Sequence, residues 1–195
     1  MRRIHDVKID DAKYYEKIWA VEYNTRPWYD TVRQEALAVP VQKGDSVLDV
    51  GGGVFGTAQY IAEHHPELEA FLTIVDQSHT AAEIVTSKFP EINFVISDVI
   101  ELPFRDHSFD VVVAGEIIEH MEDPAAFAKE LRRVTRIGGT ITLSTVDTEC
   151  ENAIAHGDYP EHLWEFTPRD LQSMFGPGAK YTTVGDYHFL EVAVQ

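Results

Sequence analysis

The sequence feature that most constrains the fold is the stretch VLDVGGGVFG, from Val47 to Gly56. Its first residues are mostly apolar and favour a β-strand. The glycines that follow let the backbone turn tightly and approach a ligand without Cβ atoms in the way. This stretch therefore predicts a buried strand that runs into a cofactor-binding loop, although Asp49 within the strand is unusual for a generic dinucleotide site.

Further strands follow the glycine loop and alternate with segments of helical character. Four runs are predicted to be parallel strands, namely Phe71–Val75, Asn93–Ile96, Phe109–Ala114 and Thr140–Thr145. Most are almost wholly apolar, which is typical of a parallel sheet covered on both faces. The pattern predicts an α/β fold with a doubly wound, mostly parallel sheet and helices on both faces.

The C-terminal part of the chain predicts an antiparallel hairpin. Its strands are Lys180–Val184 and Tyr187–Val194, joined at Gly185-Asp186. Adding them to the five parallel strands gives a seven-stranded sheet. Such a hairpin is uncommon in nicotinamide-binding domains, so it disfavours an NAD-dependent oxidoreductase.

Helix boundaries can also be predicted. Asp123 and Pro124 suit the start of a helix, and Gly138-Gly139 is expected to end it. Thr80 with Glu83 has the spacing of a capping box for the helix after the second parallel strand.

The segment 1–45 precedes the first core strand and is rich in aromatic residues. It predicts an N-terminal helical cap or lid on a domain that spans 46–195. One helix is expected to carry Tyr15, Ile18 and Trp19, and a second to span about 30–38. The alternative is that the rings simply pack on the edge of the sheet. The whole chain is predicted to be a single domain.

Two acidic residues lie where parallel strands are predicted to end. Asp76 comes about 20 residues after the glycine loop, where a carboxylate can accept hydrogen bonds from both hydroxyls of a ribose. Asp98 follows the next strand and could accept from an exocyclic amine of adenine, with Val99 against the ring. The alternative for each is a local role, as a helix cap for Asp76 and as a turn former for Asp98.

Charge and composition limit the partners. The formal net charge is -17, which repels phosphate backbones and anionic membrane surfaces and disfavours a nucleic-acid ligand. The single cysteine, Cys150, fits a reducing compartment. No apolar run reaches the length of about 20 residues that a membrane helix needs. We therefore expect a soluble cytoplasmic protein, and the sequence leaves its oligomeric state open.

Four motifs in order resemble the class I methyltransferases that use S-adenosylmethionine. They are VLDVGGG, Asp76, Asp98-Val99, and the blocks FDVVVAGEIIEHMEDP and LRRVTRIGGTITLST. Phe55 departs from the family, many of whose members have glycine at that position of the loop. The resemblance implies a Rossmann-like fold and S-adenosylmethionine as cofactor, held by Asp49, Gly51, Gly52, Gly53, Asp76, Gln77, Asp98, Val99 and Glu116.

The Glu119-His120 and Asp123-Pro124 pairs resemble the small-molecule members of the family, in which EH precedes DP by two residues. This implies transfer of a methyl group to an oxygen or nitrogen of a small acceptor. If the acceptor must lose a proton, His120 or His162 is the candidate base by intrinsic pKa. The alternative for His120 is a structural hydrogen bond where the next helix begins.

Another alternative involves a metal ion. Glu116, Glu119, His120 and His162 resemble the metal-binding pattern of RNA 3′-terminal 2′-O-methyltransferases, and such mixed oxygen and nitrogen ligands suit a divalent cation. A non-catalytic module that binds S-adenosylmethionine also remains open, because fold does not fix function. An enzyme would need a second pocket, which we expect to be formed by Tyr14, Tyr15, Trp28 and the loop 147–166.

Overall fold

A computed structural model of the chain describes residues 1–3, 13–14, 16–17, 31–146, 162–184 and 187–195. About half of the predicted lid therefore lies outside the described residues, as do Tyr15, Trp28, Cys150, most of the loop 147–166 and the hairpin turn at 185–186. Tyr14 is described and is helical. In the part of the chain that is described, no helix has the length and apolar character needed to cross a membrane.

The main sheet has the predicted seven strands. In chain order they are β2 (Ser46–Val50), β3 (Phe71–Asp76), β4 (Asn93–Ile96), β5 (Phe109–Gly115), β6 (Thr135–Val146), β8 (Lys180–Val184) and β9 (Tyr187–Ala193). Their order across the sheet is β4-β3-β2-β5-β6-β9-β8. The first five strands pair in parallel, and β9 pairs antiparallel with both β6 and β8. This confirms the predicted fold class and the hairpin.

Helices cover both faces of the sheet, as predicted. They are α1 (Thr31–Ala38), α2 (Thr57–His64), α3 (His79–Lys88), α4 (Pro124–Val134) and α5 (Pro168–Phe175). Residues of α1, α2 and α3 share one hydrophobic cluster with one face of the sheet, and residues of α4 and α5 share a second cluster with the other face. Leu37 of α1 is fully buried, so this part of the N-terminal segment belongs to the core.

The prediction for the end of α4 was wrong. The helix begins as expected, with the Asp123 side chain accepting hydrogen bonds from the backbone of its first turn, but it ends at Val134. Strand β6 starts at once at Thr135 and runs through Gly138-Gly139. The pairing of β5 with β6 shifts register just after Phe109, which accommodates the glycines within the strand.

The N-cap predicted for α3 was also wrong. The cap is Ser78, whose Oγ accepts a hydrogen bond from the Ala81 backbone. The Thr80 hydroxyl instead donates to the Glu16 carboxylate. Glu16 lies 64 residues earlier in the chain, so local spacing could not reveal this contact.

A second, two-stranded sheet was not predicted. Strand β1 (Arg2–Arg3) pairs antiparallel with β7 (Trp164–Glu165), in a segment expected to be loop. The guanidinium carbon of Arg3 lies 5.6 Å from the centre of the Trp164 ring. The start of the chain is thereby attached to the segment that precedes α5.

Candidate functional site

The candidate site lies where the parallel strands end. The carboxyl ends of β2, β3, β4, β5 and β6 meet at one edge of the sheet, where ligands bind in folds of this type. The glycine loop, Asp76, Asp98 and Glu116 each follow or end one of these strands. The topology therefore brings the predicted cofactor-binding residues to one edge.

Asp49 lies beneath the glycine loop and supports it. Its side chain is 2% exposed, and its Oδ2 accepts a hydrogen bond of 2.8 Å from the Ala58 backbone in the first turn of α2. A Cβ atom added at Gly52 or Gly56 would collide with the Asp49 carboxylate. Burial raises the pKa of Asp49 to about 6. This carboxylate fixes the loop against α2, which sequence alone did not show.

The loop backbone can come close to a ligand. Gly51 and Gly53 have φ values of 69° and 50°, in the left-handed region that favours glycine. A Cβ atom at Gly51 would overlap the Cδ1 methyl of Ile117. The loop is thus closely packed on its protein side and bears no side chain at these glycines, which fits the binding of a cofactor.

Asp76 is positioned by backbone groups on two sides. Its Oδ2 accepts from Gly53 N at 3.1 Å, and its Oδ1 accepts from Ser78 N at 2.9 Å. Burial raises the pKa of this carboxyl, and these hydrogen bonds partly oppose the shift. Each carboxylate oxygen can accept a second hydrogen bond, so Asp76 retains the capacity to bind a ribose diol.

The remaining residues predicted to contact the cofactor near the strand ends are Asp98, Val99 and Gln77. Asp98 is exposed, and its Oδ1 accepts a hydrogen bond from Ile100 N at 3.0 Å. This is the geometry of a turn-forming residue, the alternative to adenine binding for Asp98. Val99 is half-buried against the core, and Gln77 is half-buried directly after Asp76. The adenine-binding role of Asp98 and Val99 stays a prediction.

Glu116 has a strained backbone. Its φ is 54°, a conformation that is rare outside glycine and is often found at functional sites. Its N–H donates to the Ser144 carbonyl at 3.0 Å, and its Oε1 accepts from Ser144 Oγ at 2.8 Å. Burial, together with the nearby Glu119 carboxyl, raises the pKa of Glu116 to about 8. Ser144 was missed in the sequence because nothing distinguishes it from its neighbours in β6.

Glu119, His120 and His162 lie together. One ligand atom from each of the three lies within 4.8 Å of the others, and the two imidazole ring centres are 4.8 Å apart. Glu119 is fully buried, and neither of its carboxylate oxygens has a hydrogen-bond partner of normal geometry among the described residues. Burial raises its pKa to about 7. The Thr145 and Glu116 side chains lie near enough to lower this pKa in part. The structure does not include Glu116 in this cluster.

Two hydrogen bonds bring His162 to this position. Leu163 N donates to the Glu119 carbonyl at 2.8 Å, and the Trp164 indole N–H donates to the Met121 carbonyl at 2.7 Å. The segment that carries His162 is therefore held against the turn that carries His120. The pairing was not visible in the sequence, because the two histidines are separated by more than 40 residues.

Residues 48–143 match the family described as a methyltransferase domain. This segment, just under half of the chain, is similar to that family. It contains the glycine loop, Asp76, Glu116 and the Glu119-His120 pair, whereas Ser144 and the segment that carries His162 lie beyond it.

Curated relatives of the methyltransferase domain are methyltransferases with different substrates in their names. The 2-methyl-6-phytyl-1,4-hydroquinone methyltransferase of Synechocystis sp. is 34% identical over 122 residues, which are 63% of this chain and 37% of that protein. The ajmaline N-methyltransferase of Rauvolfia serpentina is 31% identical over 110 residues, 53% of this chain and 37% of that protein. The match thus spans little more than a third of the length of these relatives.

Solved structures confirm the class I methyltransferase fold. A chain from the complex of the Haloferax volcanii Trm112 methyltransferase activator with its methyltransferase superposes with a TM-score of 0.76 at 16% identity, covering 97% of this chain and all of that one. A Thermotoga maritima S-adenosylmethionine-dependent methyltransferase gives 0.70 at 15% identity, covering 94% and 95%. The domain family and the fold imply S-adenosylmethionine as cofactor, and the open glycine loop with the buried Asp76 fits it.

Proposed function

We propose that the protein transfers a methyl group from S-adenosylmethionine to an oxygen or nitrogen of a small-molecule acceptor, as expected for the members with the EH and DP pairs. The observation that carries this proposal is the buried Asp76 beside an open glycine loop within a methyltransferase domain. The relatives support a small acceptor, since their names include a tocopherol O-methyltransferase from Arabidopsis thaliana and an alkaloid N-methyltransferase.

The chain has three tasks in this reaction. The glycine loop and Asp76 bind the nucleoside part. Glu116 contacts the methionine part, and the positive charge of the bound cofactor favours the ionised form of this carboxyl group. Bound S-adenosylmethionine supplies an activated methyl group on a sulfonium. The residues around it must hold the acceptor atom in line with that methyl group and exclude water. His120 or His162 takes the proton from an acceptor that must lose one.

Calorimetry and methyl transfer test the proposal together. We expect S-adenosylmethionine and S-adenosylhomocysteine to bind, and labelled methyl to be transferred to a member of a panel of phenols, hydroquinones and amines. Replacing His162 with alanine should lower kcat by roughly 10²- to 10⁴-fold, the usual contribution of a positioned acid or base, and leave the affinity for S-adenosylhomocysteine unchanged.

His65→Ala is the matched control, because His65 lies at the end of α2 and contacts the exposed Glu67. It should leave kcat unchanged. Failure of both cofactor ligands to bind would contradict the proposal. Binding without methyl transfer to any acceptor class would favour a non-catalytic binding module.

A second candidate is a reaction assisted by a divalent cation. The close approach of Glu119, His120 and His162 supports it, and the buried carboxylate without a hydrogen-bond partner among the described residues supports it further. A carboxylate with two imidazoles is a donor set that suits several first-row divalent metals. The metal hypothesis and the general-base hypothesis both use His120 and His162. A direct measurement of metal binding is therefore needed to distinguish the two hypotheses.

We expect Mn²⁺ to bind with one equivalent per chain if the second candidate is correct, and a chelator to abolish methyl transfer. Glu119→Gln should lose Mn²⁺ binding by calorimetry, whereas Glu122→Gln, an exposed neighbour, should retain it. Full activity after chelation, with no Mn²⁺ bound, would leave the histidines as base candidates. A short RNA with a free 3′-terminal ribose in the acceptor panel tests the RNA alternative, which the net charge of -17 disfavours.

A further inference from the structure

The candidate cofactor site is rich in carboxyl groups. The positive charge of Arg33 acts on those of Asp49 and Glu116, whose pKa values are raised by burial. Arg33 belongs to α1, outside the residues that match the methyltransferase-domain family. An arginine from the N-terminal segment is thus the shared cationic neighbour of carboxyl groups on two different strand ends.

The helix that carries Arg33 is fixed against the glycine loop. Gln34 Nε2 donates to the Phe55 carbonyl at 2.7 Å, and Thr57 Oγ1 donates to Gln34 Oε1 at 2.5 Å. A Cβ atom added at Gly115 would lie 3.0 Å from the Leu37 Cδ1 methyl, so α1 also packs on the end of β5. These contacts place the Arg33 position between the loop and the strand end that leads to Glu116.

The guanidinium group of Arg33 lies over the aromatic ring of Tyr187. The Cζ atom of Arg33 lies 5.5 Å from the centre of the Tyr187 ring. Tyr187 begins β9 and pairs with Val146 at the carboxyl end of β6, which is the ligand-binding edge of the sheet. A guanidinium held over an aromatic ring can still donate hydrogen bonds in its own plane. Arg33 is therefore ordered at the site edge in a form suited to bind an anion.

We infer that Arg33 binds the carboxylate of the methionine part of the cofactor and so selects ligands that carry this carboxylate. The inference rests on the proposed use of S-adenosylmethionine. That molecule has a sulfonium and an ammonium group, which suit the carboxyl groups of the site, but its own carboxylate finds no cationic partner among them. A guanidinium supplies that partner and can bind a carboxylate through two parallel hydrogen bonds.

A pair of ligands that differ only in the carboxylate tests the inference. Calorimetry with S-adenosylmethionine and decarboxylated S-adenosylmethionine should show that the wild type prefers the former by on the order of 10- to 100-fold, the range for a charge-assisted contact. In Arg33→Gln this preference should disappear, because only the affinity for the carboxylate-bearing ligand falls. Arg33→Lys should keep part of the preference, since it retains the charge but not the planar fork.

Arg136→Gln is the matched control. Arg136 lies near the start of β6, at the opposite end of the sheet, where its Nε pairs with Asp110 Oδ1 at 2.5 Å. The Arg136→Gln substitution removes one positive charge, as Arg33→Gln does, and should leave the preference for S-adenosylmethionine unchanged. Equal losses for both ligands in Arg33→Gln, or no preference in the wild type, would overturn the inference while leaving the cofactor assignment intact. Failure of both ligands to bind the wild type would overturn the proposed function and the inference with it.

Discussion

Replacing Asp76 with asparagine is expected to lower the affinity for S-adenosylhomocysteine by about 100-fold or more, because a hydrogen bond to a charged group contributes roughly 1.5–3 kcal/mol and the ribose offers two. The amide cannot reproduce the carboxylate in either orientation. Both Asp76 oxygens already accept from backbone N–H groups, of Gly53 and Ser78, so the new NH₂ would face one of these donors. The substitution therefore weakens both the ligand contact and the loop.

Titration calorimetry measures this loss, and a thermal unfolding curve shows that the variant is folded. Asp45→Asn is a suitable control, since Asp45 lies half-buried just before β2, at the opposite end of the sheet, and accepts a hydrogen bond from Gln42 N. It makes the same change of charge and should leave the affinity within about twofold of wild type. A similar loss in both variants would mean that net charge, and not the Asp76 contact, determines binding.

Replacing Gly51 with alanine is expected to lower the free energy of unfolding by about 3 kcal/mol. The left-handed backbone costs an L-residue roughly 1–2 kcal/mol, and an overpacked methyl group adds about 1–3 kcal/mol. Here the methyl group would overlap Ile117 Cδ1. Since a domain of this kind is stable by only about 5–15 kcal/mol, the loss is a large fraction of the total.

Gly138→Ala separates the two contributions. Gly138 has a φ of 82°, but a Cβ atom there would meet no other atom within 4 Å. This variant should lose only the backbone cost, about 1–2 kcal/mol, in urea unfolding experiments. Adding Ile117→Val to Gly51→Ala removes the overlapping methyl group and should recover part of the stability. Strictly additive losses in the double variant would show that Ile117 does not cause the overlap.

The fold was predictable because its local and global signals agree. Apolar runs such as Phe109–Ala114 correspond to strands, and Asp123 caps a helix as its type and position suggested. The errors occurred where a distant residue decides a local choice. Thr80 does not cap α3 because Glu16 binds its hydroxyl, and Gly138-Gly139 lies inside a strand because β5 pairs beside it with a register shift.

The candidate site was predictable only in part, for a similar reason. The residues at strand ends, such as Asp76 and Glu116, follow from topology, since parallel strands end at one edge. Arg33, Ser144 and the approach of His162 to His120 depend on contacts across 28 to more than 100 residues of sequence. Neither composition nor short-range spacing records such contacts.

The order of strands β6, β9 and β8 has a consequence for how the protein folds during synthesis. Strand β9 follows β8 in the chain but occupies an inner position, with β8 outside it. Because β8 pairs with β9 and not with β6, it can join the sheet only through β9, so β8 must wait for β9 to be synthesised. The Arg33–Tyr187 contact likewise requires β9, whereas the glycine loop and Asp76 can assemble before β9 has been made.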